Sequence, residues 1–140
     1  MQITRETDYA IRCVLYLTSE KDRIVMVDEI AREMSIPRSF LAKILQKLVK
    51  ANIARSFRGV KGGFQLGREP KDITLLDVIT AVEGTIALNA CAVDNAICAF
   101  SSTCAVHPVW IKLRNEFSEI LRQHSFADIV QTTLQVNGES

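Results

Sequence analysis

Three cysteines and one histidine lie close together between residues 91 and 107. Six residues separate Cys91 from Cys98, five separate Cys98 from Cys104, and two separate Cys104 from His107. Thiolates and imidazoles are the side chains that bind zinc ions and iron–sulfur clusters. The spacing therefore predicts a metal-binding segment in this part of the chain.

Two other interpretations of these cysteines are open at this point. One is a structural zinc site made of three cysteines and one histidine, although ligand pairs in such sites usually lie about two to four residues apart. The other is that the cysteines are small buried residues of a core, where free cysteine is common. Cys13 is a separate case, because it falls on the apolar face of the first predicted helix and is expected to be a core residue.

The composition is that of a globular chain. It has 140 residues, of which 48% are hydrophobic, so one domain with a real core is expected. The sequence contains neither an apolar run long enough to cross a membrane nor a signal-peptide pattern at its start. We therefore expect a cytoplasmic protein without a membrane partner, in which cysteines are usually thiols or metal ligands.

Positive charge is concentrated between Ser35 and Arg68. This window contains eight lysine or arginine residues and no acidic residue, whereas the whole chain has a net charge of only +1. Such an asymmetry is typical of a surface that binds nucleic acid. A solvated basic face without a function is the alternative interpretation.

Three helices are predicted at residues 7–18, 27–34 and 38–51, and the segment Ser35-Ile36-Pro37 separates the last two. The third helix has an apolar stripe that consists of Leu41, Ile44, Leu45 and Leu48. Its opposite, polar face consists of Ser39, Ala42, Lys43, Gln46, Lys47 and Lys50. Two helices joined by a short turn, with a basic outer face on the second, indicate a helix-turn-helix.

A β-hairpin is predicted directly after the third helix. Its strands cover residues 53–57 and 64–66, and the glycine-rich segment 58–63 between them carries Arg58 and Lys61 at the tip. A helix-turn-helix followed by a basic hairpin is typical of a winged helix, which inserts a helix into the major groove and the wing into the minor groove or onto the backbone. The segment lacks the ending of a phosphate-binding P-loop, and no catalytic constellation is present, so an enzyme is not expected.

The second half of the chain is predicted to contain a helix at 73–82, a loop with the cysteines, and a long helix at 108–123. The long helix carries a coiled-coil-like apolar seam, which consists of Trp110, Leu113, Phe117, Ile120 and Leu121. Its partner is either the rest of the domain or the same helix of a second subunit. A short helical turn is predicted at residues 126–130, and residues 137–140 are predicted to be frayed.

These elements predict a mainly α fold, a winged helix-turn-helix with a small β-hairpin wing, a cysteine loop and a long dimerisation helix. The predicted division has four parts: a DNA-binding domain at 1–83, a cluster-binding loop at 84–107, a dimerisation helix with a C-terminal turn at 108–130, and a tail at 131–140.

An ordered set of motifs runs through nearly the whole chain. It consists of Thr4 with Asp8-Tyr9-Ala10, Ile36-Pro37, Phe40-Leu41, Arg58-Gly59, Gly62-Gly63-Phe64-Gln65-Leu66, the cysteine trio before Trp110, and Phe126-Ala127-Asp128-Ile129-Val130. In this combination the chain resembles the Rrf-type winged-helix regulators, the family of IscR, NsrR and RirA. The resemblance implies a homodimeric transcription factor, most often a repressor, on a pseudo-palindromic operator of double-stranded DNA. It also implies an iron–sulfur cluster that senses redox state, nitric oxide, iron or cluster supply.

The resemblance implies that Cys91, Cys98 and Cys104 are cluster ligands and leaves two candidates for the fourth. His107 matches the histidine of IscR-like members with a two-iron cluster, although their first cysteine gap is usually one residue shorter. Asp8 matches the aspartate that the other subunit supplies in NsrR-like members with a four-iron cluster. We favour the four-iron cluster with Asp8, because a weak oxygen ligand is labile and suits a sensor. A cluster-free or zinc-stapled regulator that uses thiols or a small metabolite as its signal is the alternative.

The resemblance also assigns the DNA contacts. Base contacts fall on Ser39, Ala42, Lys43 and Arg58, and phosphate contacts are expected from Lys47, Arg55 and Lys61. IscR-like members have an acidic residue where this chain has Ala42. A methyl group cannot accept a hydrogen bond from cytosine, so the operator is expected to differ from theirs.

Overall fold

The computed structural model of the protein describes residues 3–86 and 103–138. In this part of the chain it contains six α-helices, one short 3-10 helix and one antiparallel pair of strands. The helices are α1 (Arg5–Ser19), α2 (Val27–Met34), α3 (Arg38–Lys50), α4 (Leu75–Glu83), α5 (His107–Arg122) and α6 (Phe126–Gly138). The strands are β1 (Ala54–Phe57) and β2 (Gly63–Leu66), and the 3-10 helix is Pro70–Asp72. The mainly α arrangement with a single hairpin agrees with the sequence prediction.

The core forms around the apolar stripe of α3. Leu41, Ile44, Leu45 and Leu48 are all buried, because α3 packs against α1, α2 and α4. Burying a side chain of this size stabilises a fold by about 1.5–3 kcal/mol. The stripe therefore fixes which face of α3 remains outside. Cys13 is also completely buried, as the sequence predicts.

The turn between α2 and α3 is a tight helix-ending turn. Ser35 adopts the left-handed conformation with φ 53°, and the backbone N–H of Ile36 donates to the carbonyl of Ala31 at 3.0 Å. Ile36 is buried, and Pro37 directly precedes the first residue of α3. The turn thus holds α3 at a fixed angle to α2.

The hairpin is attached to the helical core through Val25. In the hairpin Ala54 pairs with Leu66 and Phe57 pairs with Gly63. Val25, in the connection between α1 and α2, exchanges two backbone hydrogen bonds of 2.8 Å with Phe64. Val25 therefore forms a one-residue bridge beside β2, and this bridge joins the wing to the helical core.

The C-terminal helix α6 is longer than the sequence predicts. Residues 126–138 form a 13-residue helix, whereas a turn at 126–130 and a frayed end from residue 137 were expected. The hydroxyl of Ser125 accepts from the N–H of Asp128 and caps the helix, and Phe126 is completely buried. The Phe126 N–H also donates to the carbonyl of Ile73 at 2.9 Å. Tertiary packing of this first turn, and of α6 against α1, extends the helix. None of the helices in the described residues is both long and apolar enough to cross a membrane.

Candidate nucleic-acid interface and cysteine segment

The outward face of α3 contains the residues predicted to contact bases. Ser39, Ala42 and Lys43 are exposed, on the side of the helix opposite to the buried stripe. Arg38, at the start of the helix, is also exposed and forms an ion pair of 3.0 Å with Asp28. A small hydroxyl, a methyl group and an ammonium group therefore form a continuous surface that a DNA groove can meet.

The wing presents three basic residues. Arg55 is an exposed residue of β1, and Arg58 and Lys61 are exposed in the loop between the strands. The loop ends in a four-residue turn that is closed by a hydrogen bond of 3.0 Å from the Gly62 N–H to the Gly59 carbonyl. Gly59 has φ +104°, which favours glycine over any other residue. The basic residues are thus presented by a hairpin of defined geometry.

The structure gives Lys47 a partner within the protein. Its ammonium Nζ lies 2.8 Å from Oε1 of Glu6 in α1 and 3.3 Å from the carbonyl oxygen of Val82 near the end of α4. Lys47 lies at the edge of the apolar stripe, so its side chain extends along α1 and α4. A phosphate would have to compete with both of these oxygens.

The carboxylate of Glu83 lies beside this contact and binds the start of α1. Its Oε1 accepts from the Thr4 N–H, from the Thr4 hydroxyl and, at 2.6 Å, from the Thr7 hydroxyl. These bonds, with that of Thr7 the most important, hold the pKa of Glu83 below its usual value. We call Glu6, Lys47, Val82 and Glu83, together with Thr4 and Thr7, the three-helix junction. It joins α1, α3 and the last two residues of α4, directly before the cysteine-containing segment.

The cysteine segment is described only at its end. Cys91 and Cys98 lie outside the described residues, whereas Cys104 is half-buried and precedes α5. His107 is the first residue of α5, and its backbone N–H donates to the Cys104 carbonyl at 3.2 Å. Cys104 and His107 therefore belong to a single turn. No group of three or more potential metal ligands is found in residues 3–86 and 103–138.

Cys13 differs from Cys104 in its environment. Complete burial raises the pKa of the Cys13 thiol to about 12, so this residue stays a neutral thiol at physiological pH. Cys104 is only half-buried, next to the start of an exposed helix. The donor chemistry of the segment thus fits an iron–sulfur cluster without any contribution from Cys13.

Asp8 lies in the first turns of α1 with an exposed carboxylate. Its Oδ2 is 2.9 Å from the guanidinium of Arg12, one helical turn further on. Asp8, Ile3 and Ile11 line an open depression of about 610 Å³ on the surface. The Arg12 guanidinium also lies 5.4 Å from the centre of the Tyr9 ring. The carboxylate is therefore accessible from outside its own chain.

Helix α5 has an exposed apolar stripe. None of its 16 residues, all within the described part of the chain, is buried. Val109, Leu113, Phe117 and Ile120 are between 38% and 54% exposed and recur every three or four residues. Of the predicted seam, Leu113, Phe117 and Ile120 are therefore exposed, whereas Trp110 and Leu121 are half-buried.

One basic residue outside the predicted window lies next to the wing. Lys21, in the connection between α1 and α2, lines a cleft with Arg55 and Arg68, and its carbonyl accepts from the Gln65 side chain at 2.7 Å. Lys21 is far from Arg55 in sequence, so neither charge nor periodicity could indicate this proximity. Arg68 has contacts of its own, to the carbonyls of Asn52 and Asp72.

A helix-turn-helix with an exposed basic face, followed by a basic hairpin that is joined to the core, defines a winged-helix protein of the DNA-binding transcriptional regulators. A sequence model of Rrf2, described as an iron-dependent transcriptional regulator, matches residues 3–132, so the chain belongs to the Rrf2 family. Rrf2 regulators bind DNA, many act as dimers, and they are not enzymes.

The relatives support the assignment over the whole length. The chain is 33% identical to Protein aau3 of Rhizobium meliloti over 138 residues, 98% of this chain and 90% of that protein. It is 30% identical to the HTH-type transcriptional regulator NsrR of Bacillus licheniformis, over 93% of this chain and 92% of the relative. CymR, the global cysteine regulator of B. subtilis, shares the fold with a TM-score of 0.77 at 23% identity, over 94% of this chain and 98% of CymR.

Proposed function

We propose that the protein is a dimeric transcriptional repressor whose operator affinity depends on an iron–sulfur cluster bound by Cys91, Cys98 and Cys104. The observation that carries this proposal is the position of the cysteine segment. It begins directly after the end of α4, which the three-helix junction ties to α3, and it ends at the exposed helix α5. A ligand bound there is connected to both the DNA-binding helix and the proposed dimer helix.

Soft thiolate donors suit iron–sulfur clusters, and the Rrf2 description as iron-dependent agrees with that chemistry. When bound, such a cluster supplies reactivity toward oxidants and nitric oxide. We favour Asp8 of a second subunit as the fourth ligand over His107. The exposed position of Asp8 supports this choice, but Asp8 must give up its contact with Arg12 in order to ligate. A carboxylate that can alternate between Arg12 and the cluster suits a reversible sensor.

We assign the dimer contact to the exposed stripe of α5. Val109, Leu113, Phe117 and Ile120 expose apolar surface that a second copy of the helix can cover. A two-fold dimer presents two copies of α3, which matches a pseudo-palindromic operator. The proposed ligation by Asp8 of a second subunit requires such a dimer.

The proposed base contacts are Ser39, Ala42, Lys43 and Arg58. The proposed phosphate contacts are Arg55 and Lys61, to which we add Lys21 because it lies beside Arg55 at the base of the wing. We leave Lys47 out of the phosphate contacts, since its ammonium group already binds Glu6 and Val82.

We assign the three-helix junction the role of transmitting the state of the cysteine segment to α3. Movement at the end of α4 displaces the carbonyl oxygen of Val82. Because Lys47 donates to this oxygen, the displacement is passed to α3. A partly exposed pair such as Lys47–Glu6 contributes about 1 kcal/mol, roughly a fivefold change in an equilibrium. A complete switch needs about 5.5 kcal/mol. The junction therefore only adjusts the position of α3, and the dimer contact supplies the larger part of the free energy that a complete switch needs.

The experiment compares anaerobically purified protein with the same protein after chelation, on duplexes enriched from a random DNA library at one salt concentration. We expect visible absorbance from the cluster and at least tenfold tighter DNA binding by the loaded form. Cys104→Ser should abolish both, whereas the buried Cys13→Ala should retain the absorbance. Equal affinities of the loaded and chelated forms would rule out the sensing function.

Substitution of the two candidate ligands decides the cluster type. Under our assignment Asp8→Asn alters the absorbance and Mössbauer spectra of the loaded protein, and His107→Ala leaves them unchanged. The reverse result assigns His107 and a two-iron cluster.

A cluster-free thiol regulator is the second candidate. The fold that the chain shares with CymR, described as a cysteine regulator, favours it. Iron-free protein whose DNA affinity falls on oxidation would select this candidate. Stoichiometric zinc without visible absorbance would select a zinc-stapled regulator.

A further inference from the structure

Val60 projects from the tip of the wing. It is one of the two central residues of the Gly59–Gly62 turn and is 99% exposed, more than any other large hydrophobic residue in the described part of the chain. The next most exposed of these residues is Ile3, at 57%. The tip thus presents an isolated apolar side chain to the surroundings.

The folded chain does not explain a valine at this position, because the Val60 side chain is almost completely exposed. Turn centres usually carry glycine, asparagine, aspartate, proline or serine, and the β-branched valine side chain is stiff and suited to strands. The turn does not depend on it, because the closing hydrogen bond joins Gly62 to Gly59. A side chain that breaks a local preference without an internal contact points to a contact outside the chain.

The charges around Val60 favour DNA as that partner. Arg58 precedes it by two residues, Lys61 follows it, both are exposed, and no acidic residue occurs from Ser35 to Arg68. The turn tip is the end of the wing that suits the minor groove, which is about 6 Å wide, whereas a helix such as α3 fits the wider major groove. Lys61 would hold the tip against a backbone phosphate, and Arg58 would contact a base beside Val60.

We propose that Val60 contacts the floor of the minor groove and makes the wing select A·T over G·C pairs, an inference that rests on the proposed DNA-binding function. The 2-amino group of guanine is the donor that distinguishes G·C from A·T in the minor groove. The methyl groups of valine cannot accept a hydrogen bond from it. The 2-amino group of a guanine under Val60 therefore loses its hydrogen bond to water and gains no new acceptor, which weakens binding. An adenine has only a C–H at that position and loses no hydrogen bond.

The test uses full-length, anaerobically purified protein and a duplex enriched from a random library, in which hydroxyl-radical footprinting locates the pairs under the wing. Three duplexes carry A·T, G·C or inosine·C at those pairs and are otherwise identical. Inosine lacks the 2-amino group but keeps the other groups of guanine. The variants are Val60→Thr, which has the same shape with a hydroxyl that can accept, and Lys61→Gln as a matched control on the same turn.

We expect the wild-type protein to bind the A·T and inosine·C duplexes equally and the G·C duplex roughly tenfold more weakly. Val60→Thr should reduce this ratio to about two or less, and Lys61→Gln should weaken all three duplexes alike. Equal binding of the A·T and G·C duplexes, or an unchanged ratio in Val60→Thr, would overturn the inference and leave DNA binding itself intact. Failure to enrich any sequence would instead contradict the proposed function.

Discussion

The ammonium group of Lys47 lies 2.8 Å from the carboxylate of Glu6, and this contact joins the DNA-binding helix α3 to the first turn of α1. The same ammonium group donates to the Val82 carbonyl near the end of α4. A lysine on a recognition helix is ordinarily expected to bind phosphate. Here the geometry assigns it to a junction within the protein, and the two roles have different experimental consequences.

Lys47→Gln and Glu6→Gln should have similar effects if the pair acts within the chain. We expect each to lower the free energy of unfolding by about 0.5–1 kcal/mol, and the double variant to lose less than the sum. The salt dependence of DNA binding should stay unchanged in both. A phosphate contact would instead reduce the salt slope by about one in Lys47→Gln and not in Glu6→Gln. Urea unfolding and salt-dependent anisotropy titrations measure both quantities.

Glu83 should make the stability depend on pH. Its pKa in the folded protein lies below its ordinary value of 4.5, so the ionised carboxylate stabilises the fold above pH 4.5. This contribution is lost as the pH falls through the lowered pKa. Because Glu83 is exposed and screened by solvent, we expect Glu83→Gln to be less stable than the wild type by at most about 1 kcal/mol at pH 7, with the difference shrinking below pH 4.5. Urea unfolding between pH 7 and pH 3 measures it.

Thr7→Val is the matched variant for this prediction, because it removes the hydroxyl that donates to Glu83 at 2.6 Å and keeps the shape of the buried side chain. It should show a weaker pH dependence than the wild type. A difference between wild type and Glu83→Gln that stays constant down to pH 3 would contradict the assigned role of the carboxylate.

Gly63→Ala should detach the wing from the core. An added Cβ would lie 2.3 Å from the carbonyl oxygen of Val25, so β2 would have to move away from its backbone partner. We expect a loss of about 1–3 kcal/mol in the free energy of unfolding and weaker DNA binding. Ser56→Ala, an exposed change on β1, should alter the stability by less than about 0.5 kcal/mol. Equal stability of the two variants would show that the close approach at Gly63 is not required.

Phe117→Arg should disrupt the proposed dimer. Phe117 lies in the exposed stripe of α5, and a charge there cannot be covered by a second apolar helix. Sedimentation velocity should show a monomer at concentrations where the wild type is a dimer. Asn115→Arg adds the same charge on the opposite side of α5 and should remain dimeric. A dimeric Phe117→Arg would move the subunit contact away from this stripe.

The sequence predicts the helix-turn-helix well because α3 has a regular stripe. Leu41 and Leu48 lie two helical turns apart and are both buried, and the position of Ser39 on the outer face follows from the same periodicity. The hairpin was predictable for a different reason. Gly62 and Gly63 approach backbone atoms too closely for a side chain, so the glycines had to occur at these positions.

Contacts between residues that are distant in sequence cannot be predicted from local sequence patterns. Lys47 and Glu6 are 41 residues apart in sequence, and no local pattern pairs them. The full length of α6 was missed because residues such as Thr132 and Thr133 have modest helix propensity, while the burial of Phe126 depends on the distant Ile73. The interface between α1, α3 and α4 is thus a property of the assembled fold.

The turn at the wing tip has a consequence for how this protein can diverge. Gly59 and Gly62 close it through backbone atoms, so the side chains at Val60 and Lys61 are not needed to maintain it. Exchanges at these two positions can therefore accumulate without a folding penalty. Under the proposed function, a duplicated gene changes the base preference of its wing through a substitution in the codon of Val60 alone. A change at Lys61 alters the affinity for all promoters alike.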